Sequence, residues 1–230
     1  MQAVSGSLQN PCMKRADLVA ITVMLTALGA LAHPLSAPRA RVRSLSCSEN
    51  LRLVGMASLI YSFDNAECFP GCQHSLPSWT TGLAEYCDRT AFVCPRETRP
   101  RVEFSIALND FLTPHPHGAS KLNFSSRNVL PAPGATLMFA EARPDYLKLK
   151  FDHFHFADAR ENGFTPPRFR GQVDIAKHRA GANYLFTDAH VEMLAWRSAE
   201  KRLSSAGSMF VQPAGEPAFS ERRFPFVASR

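Results

Sequence analysis

Residues 178–194, HRAGANYLFTDAHVEML, constrain the fold of this chain more than any other stretch. From Asn183 onward, two strand-like runs flank Asp188-Ala189, which reads as a two-residue hairpin turn. That loop sets Thr187 opposite His190, Phe186 opposite Val191 and Tyr184 opposite Met193. Side chains alternate along a strand, so Tyr184, Phe186, Val191 and Met193 fall on one apolar face. Asn183, Leu185, Thr187, His190, Glu192 and Leu194 fall on the other. A type I′ turn needs positive φ at both central residues, which Ala189 tolerates poorly.

Two imidazoles and a carboxylate are a ligand set for zinc or another divalent transition ion. His178, Asp188 and His190 are therefore the candidate metal residues. The same side chains also have structural uses. Asp188 can cap the turn, His190 can pair across from Thr187, and His178 can pin the preceding loop. Two weaker half-sites are Cys68-x3-Cys72 followed by His74, and His153-Phe154-His155. The second also reads as a half-buried strand with a polar outer face. No nucleophile elbow, phosphate loop, H-E-x-x-H or dinucleotide fingerprint occurs, so no enzymatic activity and no cofactor beyond that metal is expected.

The 230 residues suit one domain, or one domain with a membrane segment. With 45% hydrophobic and 20% charged residues, the chain reads as globular. The net charge of +6 is scattered along the sequence, which argues against a nucleic-acid partner. Six cysteines, four of them between positions 68 and 94, suit an oxidising compartment and disulfides. Free thiols and a metal site stay open beside that reading.

Lys14-Arg15 precedes an uncharged apolar run of fifteen residues, 18–32. It reads as a membrane anchor continuing into a helical stem, or as a signal segment cleaved after Ala30-Leu31-Ala32. Residues 1–12 read as an upstream extension, with Met13 the more natural start. In the stem, Leu53, Met56, Ala57 and Ile60 recur at helical spacing. Pro34 and Pro38 should kink or interrupt that helix, and Asp64-Asn65 should stop it. Trp79 to Tyr86 reads as a short amphipathic segment. Residues 198–230 read as a flexible tail.

Several of these pieces resemble one family. They are Cys47-Ser-Glu-Asn50-Leu51-Arg52, then Tyr61 with Asp64-Asn65, Phe92-Val93-Cys94-Pro95, the strand ending at Asn109, and Pro133 to Glu141. The last is the segment from Asn183 and Phe186 to Asp188 and His190. Together they resemble pilin-like proteins, pseudopilin relatives with an H-x9-DG C-terminal domain. The family has Gly where this chain has Ala189. The prepilin Gly, aromatic and Glu are also missing from residues 15–19.

The resemblance implies an α+β fold, with a long membrane-proximal N-terminal helix packed on a small antiparallel sheet. It divides the chain into an anchor (13–34), a stem (35–66), a head (67–197) carrying the 183–194 hairpin, and the tail. It implies a structural role in type II secretion or type IV pilus-like machinery. The protein would sit in the inner membrane with its head in the periplasm, its partners being other pilin-like subunits or components of the secretion machine. The competing expectation is a secreted or periplasmic metal-binding protein or hydrolase using His178, Asp188 and His190.

Overall fold

A computed structural model of the chain describes residues 15–74, 77–114, 123–156 and 166–214, with 29–37 described as backbone only. The contacts within the chain divide it into two compact units, Met1–Val42 and Arg43–Arg230. The fold is α+β.

Helix α1 covers Arg15–Asp64 without a break at Pro34 or Pro38. A proline inside a helix removes one donor, and here the helical backbone continues on both sides of each. In the first unit, Leu18, Val19, Val23, Met24, Leu25 and Leu28 are all exposed. Among the described residues, no helix is long and apolar enough to cross a membrane. The helix ends as expected at Asp64. Ala66 turns left-handed at φ 54°, and the Glu67 N–H reaches back to the Ser62 carbonyl at 2.7 Å. This is a Schellman closure with Ala in the place glycine usually takes.

The second unit is built around a five-stranded sheet. Its strands are β1 (Ile106–Asn109), β2 (Leu137–Glu141), β3 (His153–Phe154), β4 (Ala182–Phe186) and β5 (Val191–Leu194), in the order β3-β1-β2-β4-β5. All neighbours are antiparallel except β1 and β3, so the sheet is mixed rather than purely antiparallel. Between Glu141 and Phe156 only the two residues of β3 are strand. Pro144 instead opens the short helix α3 (Pro144–Leu147), where its fixed φ suits the first helical turn.

Both faces of the sheet are buried. One carries Ile106, Leu108, Phe139 and Leu185, which share a core with Leu51, Val54, Ala57 and Tyr61 of α1. Trp79, at the start of α2 (Trp79–Gly82), completes this core edge-on to Phe92 and Phe139. The other face carries Ala107, Leu137, Tyr184 and Phe186. It packs on Phe169 of α4 (Pro166–Gln172) and on Ala199 and Leu203 of α5 (Trp196–Ser204). An irregularity in the pairing of β2 with β4 lies between Leu137 and Phe139. It sends these two residues to opposite faces, where strict alternation would put them on the same one.

The hairpin is real, but its register is one residue from the expected one. Leu185 pairs with Val191, Tyr184 with Glu192 and Asn183 with Met193. The Phe186 N–H donates to the His190 carbonyl at 3.0 Å, which makes Thr187-Asp188-Ala189 a three-residue loop. Ala189 takes the left-handed position at φ 69°. The longer loop places the positive φ on one residue only, as in a type I turn followed by a left-handed bulge residue. The slip changes the faces, as a one-residue shift must. Tyr184 and Phe186 share a side with His190 and Glu192, while Val191 and Met193 join Leu185.

Residues 198–214, expected as flexible, are instead part of the fold. Phe210 and Val211 are buried in the core, and the Phe210 carbonyl accepts from the Leu137 N–H at 2.8 Å. Residues 215–230 and 1–14 lie outside the described residues.

Candidate functional site

At its C-terminal end, β2 presents Glu141 on the same side as Phe139, toward α1. The Glu141 side chain has no solvent exposure. Its Oε1 accepts from the Cys47 thiol at 3.0 Å and lies 3.0 Å from His178 Nε2, and its Oε2 accepts from the Asn183 N–H at 3.3 Å. The Cys94 sulfur lies 3.9 Å from His178 Nε2. One ligand atom from each of Cys47, Cys94, Glu141 and His178 lies within 4.8 Å of the others, and all four residues are buried.

Four separate segments meet at this point. Cys47 lies one helical turn before Leu51 of the α1 core stripe. Cys94 follows the short helical turn Arg89–Phe92, and its N–H donates to Ser105 Oγ at 2.7 Å. His178 is held by an isolated pair with Gly181, at 2.8 and 3.1 Å. Gly181 has φ 149°, and a Cβ there would lie 2.0 Å from the Leu194 carbonyl oxygen, so only glycine fits this approach to β5. Glu97, one turn past Cys94, binds Arg99 at 3.0 Å and Lys177 at 3.3 Å, tying the two loops together beside the cluster.

The electrostatics favour an ion pair. Burial pushes the Glu141 carboxyl up, but the His178 hydrogen bond and charge outweigh it and hold the group below its usual range. Burial lowers the His178 imidazole, while Cys94 and Glu141 raise it to about 9. Contact with Cys94 and burial raise the Cys47 thiol, and the same contact lowers Cys94 to about 7. The resting state is a carboxylate and an imidazolium bracketed by two sulfurs. Chemically, two sulfurs, one imidazole and one carboxylate could also close around a tetrahedral ion.

The expected metal trio does not form. His178 precedes β4 and the Asp188 turn follows it, so the five strand residues between them span roughly 16 Å at about 3.3 Å each. Asp188 and His190 pair with each other at 2.5 Å at the hairpin tip, each more than 40% exposed. Neither belongs to any close ligand group among the described residues. Asp188 also accepts from the His190 N–H at 3.1 Å, so it closes the turn. His190 stacks flat on Phe186 at 4.3 Å between ring centroids.

The remaining motif residues act as ties. Asn50 donates to the Val93 carbonyl at 3.1 Å, fixing α1 to the loop that carries Cys94. Buried Tyr61 packs edge-on against Tyr86, whose hydroxyl donates to Asp64 at 3.1 Å. Asn109 bridges the carbonyls of Leu137 and Val211 at 2.9 and 2.8 Å. Asn183 donates to the Ser44 carbonyl at 3.3 Å. The five described cysteines are free thiols, so the disulfide expectation is not met among them; Cys12 lies outside the described residues.

The 152–156 segment also departs from its expected polar outer face. Asp152 and His153 are buried, with the two groups 2.8 Å apart. Compared with protein-family models, with curated proteins and with solved structures, the chain matches none.

Proposed function

We propose that the protein is a structural, pilin-like subunit tethered through its N-terminal helix. The observation that carries this reading is α1 itself. It is one helix, Arg15–Asp64, with large exposed apolar side chains from Leu18 to Leu28 and a buried stripe from Leu51 to Tyr61. An unpartnered apolar helix surface of that extent calls for a lipid or protein environment. Arg15, with Lys14 before it in sequence, supplies positive charge that would be retained on the cytoplasmic side. The apolar run falls short of the roughly 20 residues of a simple span, so neighbouring pilin-like subunits would share in covering it.

The convergence of Cys47, Cys94, Glu141 and His178 fits a structural role. The cluster joins the stem half of α1 to the head and is closed to solvent. Intact-mass analysis of membrane and soluble fractions tests the proposal. A membrane-bound chain that retains residues 18–32 supports it. A soluble product beginning at His33 overturns it.

A further inference from the structure

We propose that His74, His153 and His155 form a binding site for a divalent transition ion of the zinc class, with one coordination position open to an outside donor. His74, from the weak half-site Cys68-x3-Cys72 followed by His74, meets the His153-x-His155 pair in space. One ring nitrogen from each histidine lies within 4.8 Å of the other two. The ring centroids of His74 and His155 lie 4.8 and 4.6 Å from that of His153. At zinc–nitrogen bonds of about 2.0–2.1 Å, tetrahedral ligand nitrogens stand roughly 3.3 Å apart, so small side-chain movements close the set.

The backbone explains the meeting. β3 pairs in parallel with β1, His153 opposite Leu108. Alternation turns His153 and His155 to one side, while Phe154 and Phe156 enter the core on the other. The 71–79 loop is tied to the same spot. Gly71 bridges Ser78, the Gln73 N–H donates to Asp152 Oδ1 at 3.1 Å, and Trp79 Nε1 donates to the Asp152 carbonyl at 2.6 Å.

The hydrogen bonds around the rings select their tautomers. The Tyr146 hydroxyl donates its single proton to the His153 carbonyl at 2.8 Å. It must therefore accept from His155 Nδ1, 2.7 Å away, which places the lone pair of the neutral His155 ring on Nε2. His153 Nδ1 lies 2.8 Å from Asp152 Oδ1, and an ionised carboxylate only accepts. In its neutral form, the form a metal binds, the His153 ring therefore also carries its lone pair on Nε2. A carboxylate or hydroxyl fixing the far nitrogen is the outer support that metal-bound histidines usually have. Asp152 is itself held by the Ser78 hydroxyl. Cys72 groups with Asp152 and His153 but not with all three histidines, so it is not counted as a ligand. His74 is exposed, which opens the site to solvent, unlike the sealed Cys47–His178 cluster. Structural zinc sites are closed by four protein ligands, whereas three imidazoles leave the fourth position to an outside donor.

The test is calorimetric titration of Zn2+ into the metal-stripped full chain, repeated with Co2+ and read by absorbance. The expected result is one saturable ion per chain and a cobalt spectrum without a thiolate charge-transfer band. His74→Ala, at an exposed position, should weaken binding by tenfold or more while leaving the metal-free melting temperature unchanged. Tyr146→Phe should weaken it by about tenfold, through loss of the tautomer lock. Three results would each overturn the proposal: no saturable binding, affinity unaltered by His74→Ala, or a thiolate band removed by Cys47→Ser, which would place the ion in the buried cluster.

Discussion

Gly55 of α1 lies against Ala189 of the hairpin loop. A Cβ added at Gly55 would stand 3.0 Å from the Ala189 Cβ and 2.7 Å from Leu185 Cδ1. Alanine is the better helix former by about 1 kcal/mol, yet overpacking of this kind costs about 1–3 kcal/mol. Gly55→Ala should therefore destabilise the protein in denaturant titration. Ala189→Gly alone exchanges about 1 kcal/mol of left-handed strain for the loss of a buried methyl worth about 0.8 kcal/mol. Its net effect should be small. In the Gly55→Ala background it also removes the 3.0 Å contact, so a double-mutant cycle should show a favourable coupling of about 0.5 kcal/mol or more. Strict additivity would count against the contact.

Glu141→Gln keeps the shape of the side chain and removes its charge. His178 would lose its counter-ion inside the core, and breaking such a pair by removing one partner costs about 3–5 kcal/mol. Cys47→Ser should cost far less, since a hydroxyl still donates to the carboxylate. Equal losses in the two variants would show that packing, not the ion pair, holds the cluster together.

Stability should fall at both ends of the pH scale. His178 is raised to about 9 from an ordinary 6.5, so its contribution is full below about pH 6.5 and disappears as pH rises through 9. The slope approaches about 1.4 kcal/mol per pH unit. Glu97 moves the other way. Burial raises its carboxyl, but Arg99 and Lys177 bring it down to about 2 from 4.5. Its contribution is full above about pH 4.5 and is lost as pH falls toward 2. Denaturation midpoints measured across pH in chelator should fall on the alkaline side in the wild type, and the His178→Ala variant should show a shallower alkaline slope, the rest coming from His153, which burial lowers but Asp152 and Cys72 raise to about 9.

Asn109→Ala removes the side chain that joins the Leu137 and Val211 carbonyls. Two buried acceptors left unmatched should cost about 1–3 kcal/mol each. Amide exchange should quicken near Phe210 and Val211 before it quickens in β1, because the Asn109 side chain is a direct tie on the Val211 carbonyl.

The hairpin, the stop at Asp64 and the helical stem were legible because each is a local pattern. The register was not. Asp188-Ala189 and Thr187-Asp188-Ala189 both suit the same residues, and the choice follows from φ at Ala189 and from Thr187, whose N–H is bound to the Thr136 carbonyl at 3.0 Å. His178, Cys94 and Glu141 each stood out as fragments of a resemblance, yet their meeting point could not be read, because it depends on pairings across 131 residues of chain from Cys47 to His178. Buried Phe210 was hidden by a flexible-looking composition. One signal was available: Met209-Phe210-Val211 is an apolar run inside an otherwise small and polar stretch.

The irregularity between Leu137 and Phe139 works as a parity switch for everything after it on β2. With strict alternation from Leu137, Glu141 would face the aromatic layer around Phe169 and Tyr184, where no thiol or imidazole of the cluster waits for it. A deletion of one residue at Met138 would therefore strand a carboxylate among phenyl rings and leave His178 facing two sulfurs alone. One extra residue in a strand decides whether the stem and the head share a lock.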